Sequence, residues 1–128
     1  MAASERPQRT VLIVDDEEAI RRMLERLLRL HGFDAVPVAT IAEGIAAAEQ
    51  RQFDAAILDL SLGELGSGLD FLAWLRQHPG TTDIPVLILT GKTHLGEDDE
   101  ALIRRHRAYV FYKPQPVAVL VEYLGRLL

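Results

Sequence analysis

Three aspartates, a threonine and a lysine stand where the short apolar runs of this sequence stop. Val11-Leu12-Ile13-Val14 is followed by Asp15-Asp16, Ala55-Ala56-Ile57-Leu58 by Asp59, Val86-Leu87-Ile88-Leu89 by Thr90, and Tyr109-Val110-Phe111-Tyr112 by Lys113. If those four ends converge, three carboxylates share one place, and like charges so crowded require a cation. An all-oxygen donor set selects a hard ion. Magnesium, which keeps waters and accepts one or two carboxylates plus a phosphate, suits it better than calcium or zinc, and manganese can substitute. Three aspartates, one divalent ion and one lysine balance to neutrality. A phosphoryl group entering there meets a metal, an ammonium and the Thr90 hydroxyl, all able to hold its oxygens.

The rest of the pattern supplies the elements that bring these ends together. After the first run, Ile20, Met23, Leu24, Leu27 and Leu28 recur at helical spacing until His31-Gly32, where glycine supplies the stop. Asp34 to Val38 reads as a second strand, and Thr40 with Glu43 has the spacing of a capping box that opens a helix running to about Arg51. The third run ends at Asp59. A glycine-rich loop from Ser61 to Gly68 follows it, then a helix carrying Leu69, Leu72 and Ala73 on one face and ending at His78-Pro79-Gly80. The fourth run is followed by a helix predicted from Asp98 to about Arg105. After the fifth, Pro116 suits the first turn of a last helix with Val117, Leu120, Val121, Leu124 and Leu128 on its apolar face.

Five strand-helix units in series predict an α/β fold: a doubly wound, five-stranded parallel sheet with five helices on its two faces. In such sheets ligands sit beyond the carboxyl ends of the strands where strand order reverses. With the order 2-1-3-4-5, the first and third strands are neighbours at that point, and Asp15, Asp16 and Asp59 meet.

Bulk composition narrows the function. At 128 residues, 48% hydrophobic and 26% charged, the chain has the size and make-up of one globular domain. A formal charge of -5 offers no footprint for a phosphate backbone, so direct nucleic-acid binding is not expected. The absence of cysteine excludes a disulfide framework and a thiolate zinc site. The first ten residues are polar and no run approaches the ~20 apolar residues of a membrane span, so a cytoplasmic protein that does not engage membranes is expected.

Val-Asp-Asp-Glu at 14 to 17, Leu-Asp-Leu at 58 to 60, Leu-Thr-Gly at 89 to 91 and Lys-Pro at 113 and 114 together resemble the motif set of response-regulator receiver domains, the chemotaxis-regulator-like modules of two-component signalling. The resemblance runs from about Val11 to Leu128. It implies a flavodoxin-like fold over residues 10–128, preceded by a flexible N-terminus at 1–9. It implies that Asp59 is the phosphorylated aspartate, Asp16 a direct magnesium ligand, Asp15 a ligand mostly through water, and the Ser61 backbone carbonyl the remaining protein ligand. Thr90 and Lys113 are implied to bind the phosphoryl oxygens. The partners implied are a histidine kinase or histidine phosphotransfer protein as donor and a downstream protein target, with the receiver a monomer or weak dimer that catalyses only its own phosphorylation and dephosphorylation. The last helix consumes the stretch after Lys113, so an output domain of ~50 residues or more is not expected within this sequence, which stands alone or is one domain of a longer chain.

Departures from the family pattern are specific. Gly63 stands where proline is usual four residues after the acceptor, the loop through Glu64 to Ser67 is about one residue longer, and Gly91 replaces the common alanine after the threonine. Val110 occupies the position three before the lysine that is often aromatic, so the familiar aromatic switch is in question, with Tyr109 or Tyr112 as substitute rings. Blander readings also stand: Asp15 as a helix N-cap, Glu97 to Glu100 as acids complementing a helix dipole, Arg104, Arg105 and Arg107 as a solvated helix end, the four histidines as surface residues and Trp74 as packing. A haloacid-dehalogenase-like phosphatase would need an aspartate where Ser61 stands. A flavodoxin-like cofactor carrier would need a phosphate cradle where Asp15-Asp16-Glu17 would repel phosphate. A docking module or phosphate sink that does not switch on phosphorylation remains the alternative.

Overall fold

The computed structural model describes residues 9–59, 67–91, 96–112 and 117–128, with the side chains of Ser67 and Val117 outside that description. Strands β1 (Thr10–Val14), β2 (Asp34–Val38), β3 (Ala55–Asp59), β4 (Val86–Thr90) and β5 (Tyr109–Tyr112) alternate with helices α1 (Glu18–Leu30), α2 (Ile41–Gln50), α3 (Ser67–Gln77), α4 (Glu97–Arg105) and α5 (Val117–Leu127). The strands form one parallel sheet in the order β2-β1-β3-β4-β5, as the sequence pattern predicts.

The unbroken apolar runs have a structural cause. β1, β3 and β4 are buried along their whole length, because helices cover both faces of the sheet. Val11, Ile13, Ala55, Ile57, Leu87 and Leu89 point to the face covered by α1 and α5, where Leu24, Leu28, Leu120, Val121 and Leu124 close the core. Leu12, Val14, Ala56, Leu58, Val86 and Ile88 point to the other, against Phe71, Leu72 and Leu75 of α3 and Ile103 of α4. Among the α1 residues at helical spacing, Met23 departs from expectation: it lies at the margin of the apolar stripe and is 40% exposed.

Local signals act where the sequence places them. The Thr40 hydroxyl accepts from the Glu43 N–H at 3.1 Å while the Glu43 carboxylate accepts from the Thr40 N–H at 3.2 Å, the reciprocal pair of a capping box. Gly32 leaves α1 at φ +88°, a left-handed conformation that glycine adopts without a side-chain clash. The capping alternative for Asp15 fails as stated, since the N-cap of α1 is Glu17. Helix α4 opens at Glu97, one residue before the expected start, and its acidic first turn complements the dipole. Of the flexible terminus expected over residues 1–9, residues 1–8 lie outside the described residues, whereas the Arg9 carbonyl accepts from the Asp34 N–H at 2.8 Å and extends the sheet's hydrogen bonding.

At the amino end of the sheet, Arg76 in the last turn of α3 joins three segments. Its guanidinium donates to the carbonyls of Ile84 and His106 at 2.7 Å each and to those of Thr81 and Thr82 at 3.2 Å each. Burial, with repulsion from Arg107, draws its pKa below the ordinary arginine value. Arg107, at φ 58°, adds a bond from Nη2 to the Thr82 carbonyl at 3.0 Å. Trp74 stacks between Phe71 and His78 on the same helix and its exit, so its role here is packing.

Candidate functional site

Register brings the acidic residues together. Val14 of β1 pairs with Leu58 of β3, so the next residues, Asp15 and Asp59, sit side by side at the carboxyl edge. Asp59 in turn pairs with Leu89, so Thr90 stands one residue further out on the neighbouring strand, opposite Tyr112. Asp15, Asp59 and Thr90 are only 2%, 1% and 0% exposed, an uncommon placement for two carboxylates. One carboxylate oxygen each from Asp15, Glu17 and Asp59 lies within 4.8 Å of the others.

The loop that carries the first two is tightly held. Asp15 donates its N–H to the Val38 carbonyl at 3.1 Å, linking it to β2. Its Oδ1 accepts from the Glu17 N–H at 2.9 Å, and its carbonyl accepts from Arg21 Nη1 at 2.9 Å. Glu17 keeps an extended backbone, φ -89° and ψ 117°, after a bend at Asp16. Asp15 is buried, whereas Asp16 and Glu17 are both exposed.

Of the expected site residues, Asp15 and Asp59 are brought together, Thr90 is adjacent by register and Asp16 is exposed in the turn between Asp15 and Glu17. Ser61 and Lys113 lie outside the described residues, as do the Gly63 departure and the longer loop after it. Glu17 was not anticipated as a member of the group, and with a bend at Asp16 no strand periodicity marks it. The donors are all carboxylate oxygens within reach of one small cation, which fits magnesium or manganese and does not fit a metal that prefers thiolate or imidazole.

Val110 faces α4 with Tyr112, where Ala108, Val110 and Tyr112 form a shallow groove with Glu100, Ile103 and Arg104. Tyr109 and Phe111 face the other way and meet Tyr123 of α5 edge to face, with ring centroids 5.4 and 5.5 Å apart. The two candidate rings named by the sequence therefore lie on opposite faces of β5.

A sheet in this order, with buried aspartates at adjacent strand ends where the order reverses, defines a class of signalling domain, and comparison with known proteins identifies it. A family model for the response regulator receiver domain matches residues 11–124, and the chain belongs to that family. It is 40% identical over 85 residues to the acid tolerance regulatory protein ActR of Sinorhizobium medicae, covering 66% of this chain and 42% of that one. It is 37% identical over 92 residues to the KDP operon transcriptional regulatory protein KdpE of Escherichia coli, covering 72% of this chain and 39% of the relative. The chain thus spans about two fifths of the length of these curated relatives. Among solved structures, the chemotaxis response regulator CheY4 of Vibrio cholerae superposes with a TM-score of 0.82 at 27% identity, covering 95% of this chain and 100% of that one. This chain is a receiver domain of the two-component response-regulator type. No helix among the described residues is long and apolar enough to cross a membrane.

Proposed function

We propose that this domain, spanning residues 10–128, is a cytoplasmic phospho-acceptor and that Asp59 takes the phosphoryl group. The observation that carries the reading is the registered adjacency of buried Asp15 and Asp59, with Thr90 one strand further on. Asp59, Asp15 and Asp16, with the Ser61 carbonyl, would hold magnesium or manganese, and Glu17 adds a carboxylate within the same reach. When bound, the ion offsets charge on the carboxylates and on the phosphoryl oxygens.

The donor is a histidine kinase or histidine phosphotransfer protein. An Asp59 carboxylate oxygen attacks phosphorus in line, a P–O bond forms as the P–N bond of the phosphohistidine breaks, and the electron pair leaves with the imidazole nitrogen. The Thr90 hydroxyl donates to one phosphoryl oxygen and the Lys113 ammonium to another. The only chemistry assigned to the domain is thus its own phosphorylation and the later hydrolysis of the acyl phosphate. The output is a shift of a pre-existing equilibrium on the α4–β5–α5 face, read by a downstream protein. Because Val110 has no ring, Tyr112, which shares its face and borders α4, is the residue through which Thr90 movement reaches that surface.

Incubation with magnesium and a small acyl phosphate, followed by intact-mass analysis, tests the acceptor. One phosphoryl group, labile to hydroxylamine and absent from Asp59→Asn, is expected. No uptake, or uptake retained by the variant, overturns the assignment. Amide chemical shifts with beryllofluoride standing in for the phosphoryl group test the output: shifts reaching residues 100–112 support switching, and shifts confined to the pocket identify a phosphate sink.

A further inference from the structure

Arg21 stands in the first turns of α1 with Asp15, Asp16, Glu17 and Glu18 preceding it. On the same helix Arg22 pairs with Glu18 at 2.8 Å and Arg29 with Glu25 at 2.9 Å, as side chains four apart on a helix do. Arg21 behaves differently. Among the described residues it forms no ion pair, and its Nη1 donates instead to the backbone carbonyl of Asp15, six residues back, at 2.9 Å. A half-buried guanidinium that bonds a neutral carbonyl is informative, because a charge-assisted bond fixes the backbone at that point.

That point is the base of the acidic turn. The Asp15 N–H is tied to Val38, its Oδ1 to the Glu17 N–H and its carbonyl to Arg21, so each polar function of this residue's backbone is held. The Arg21 N–H in turn donates to the Glu17 carbonyl at 3.0 Å, closing the first helical turn on the same segment. We propose that Arg21 is a positioning residue for the divalent-cation pocket: it clamps the β1–α1 turn so that the Asp15 and Glu17 carboxylates are presented together toward Asp59. This rests on the reading that the pocket binds such a cation.

The proposal makes a sign-definite forecast because Arg21 could affect a cation in two opposing ways. As a nearby positive charge alone it would repel the metal, and its removal would tighten binding. As a clamp it preorganises the ligands, and its removal weakens binding, by about 10- to 100-fold where outer-shell partners of metal ligands are lost. Manganese binding followed by electron paramagnetic resonance on the purified chain separates the two. Arg21→Met is expected to bind at least about tenfold more weakly, and Arg21→Lys, which keeps the charge without the planar fork, to fall between it and the parent. In metal-free protein the Glu17 amide should exchange with deuterium faster in Arg21→Met. Equal or tighter manganese binding by Arg21→Met overturns the proposal, as does unchanged Glu17 exchange. If Arg21→Met does not fold, Arg21→Lys carries the same test in the same direction. Failure of the parent chain to bind manganese would defeat the pocket reading itself, and the Glu17 exchange comparison would then decide the clamp alone.

Discussion

Replacing Asp59 by asparagine should make the metal-free protein more stable while removing its ability to take a phosphoryl group. The side chain keeps its shape, so no cavity forms, and what changes is charge. Oxygens of Asp15 and Asp59 lie within 4.8 Å, and both residues are almost fully buried. At an effective dielectric constant of about 20, two unit charges at that separation repel by about 3.5 kcal/mol. Relaxation of the side chains and the hydrogen bond that Asp15 accepts from Glu17 absorb part of this, leaving a gain of ~1–3 kcal/mol. For a domain of this size each kcal/mol moves the melting temperature by about 4 °C. Asp59→Asn should therefore melt several degrees above the parent in chelator-containing buffer at neutral pH. Magnesium should narrow or reverse that order. A ligand at 100 times its dissociation constant adds about 2.7 kcal/mol to the state that binds it, and the variant has lost one ligand. Calorimetric scans across a magnesium series test both halves. A variant that melts below the parent without metal would show that the Asp59 carboxylate stabilises the fold, and the repulsion argument would fail.

Further expectations concern single contacts. Asp16→Ala and Glu17→Gln should each weaken manganese binding severalfold, with Asp16→Ala losing at least as much; parent-like affinity in Asp16→Ala would remove that residue from the site. A Cβ added at Gly44 would lie 3.1 Å from Phe71 Cζ and 3.2 Å from Val14 Cγ2, so the overpacking in Gly44→Ala should outweigh the ~1 kcal/mol that alanine gains in a helix and leave a net loss of about 1 kcal/mol. Urea unfolding with a lowered midpoint and an unchanged slope would bear this out. Burial, then Arg105, Arg76 and Arg107, lower the His106 pKa from its ordinary value of 6.5, so the unfolded chain binds this proton more readily. The His106 contribution is intact above that value and is lost as pH falls below it. His106→Gln should accordingly show a smaller drop in melting temperature than the parent between neutral and mildly acidic buffer, and an unchanged drop would refute the assignment.

Much of the fold was legible because its causes are local or periodic. Doubly covered strands must be apolar on both faces, and the runs ending at Asp15, Asp59 and Thr90 show that directly. The Thr40–Glu43 box and the Gly32 stop depend only on spacing and backbone conformation. Met23 was misplaced because helical spacing defines a stripe but not its width. Glu17 escaped notice for a different reason: the chain bends at Asp16, so strand alternation does not say which side chains of the turn reach Asp59. The Arg21 and Arg76 contacts have no sequence signature, since a long flexible side chain reaching a carbonyl obeys no period. Tyr109 and Tyr112 could not be separated until the sheet face of each was known.

The four acceptors around Arg76 are all main-chain carbonyls. Carbonyl oxygens do not titrate over any pH the protein would meet, and the guanidinium stays charged throughout. The surface pairs Arg22–Glu18, Arg29–Glu25 and Arg107–Asp83 lose their attraction when their acids are protonated and weaken in salt, whereas none of the four bonds made by Arg76 has an acceptor that can take up a proton. The two rims of the sheet thus obey different rules. At the carboxyl rim, where Asp15, Glu17 and Asp59 crowd together, one added or removed charge alters the balance of forces. At the amino rim the exits of α3 and α4 are fastened by bonds whose acceptors carry no charge, and acid acts there through the His106 imidazole and the Arg107–Asp83 pair beside them.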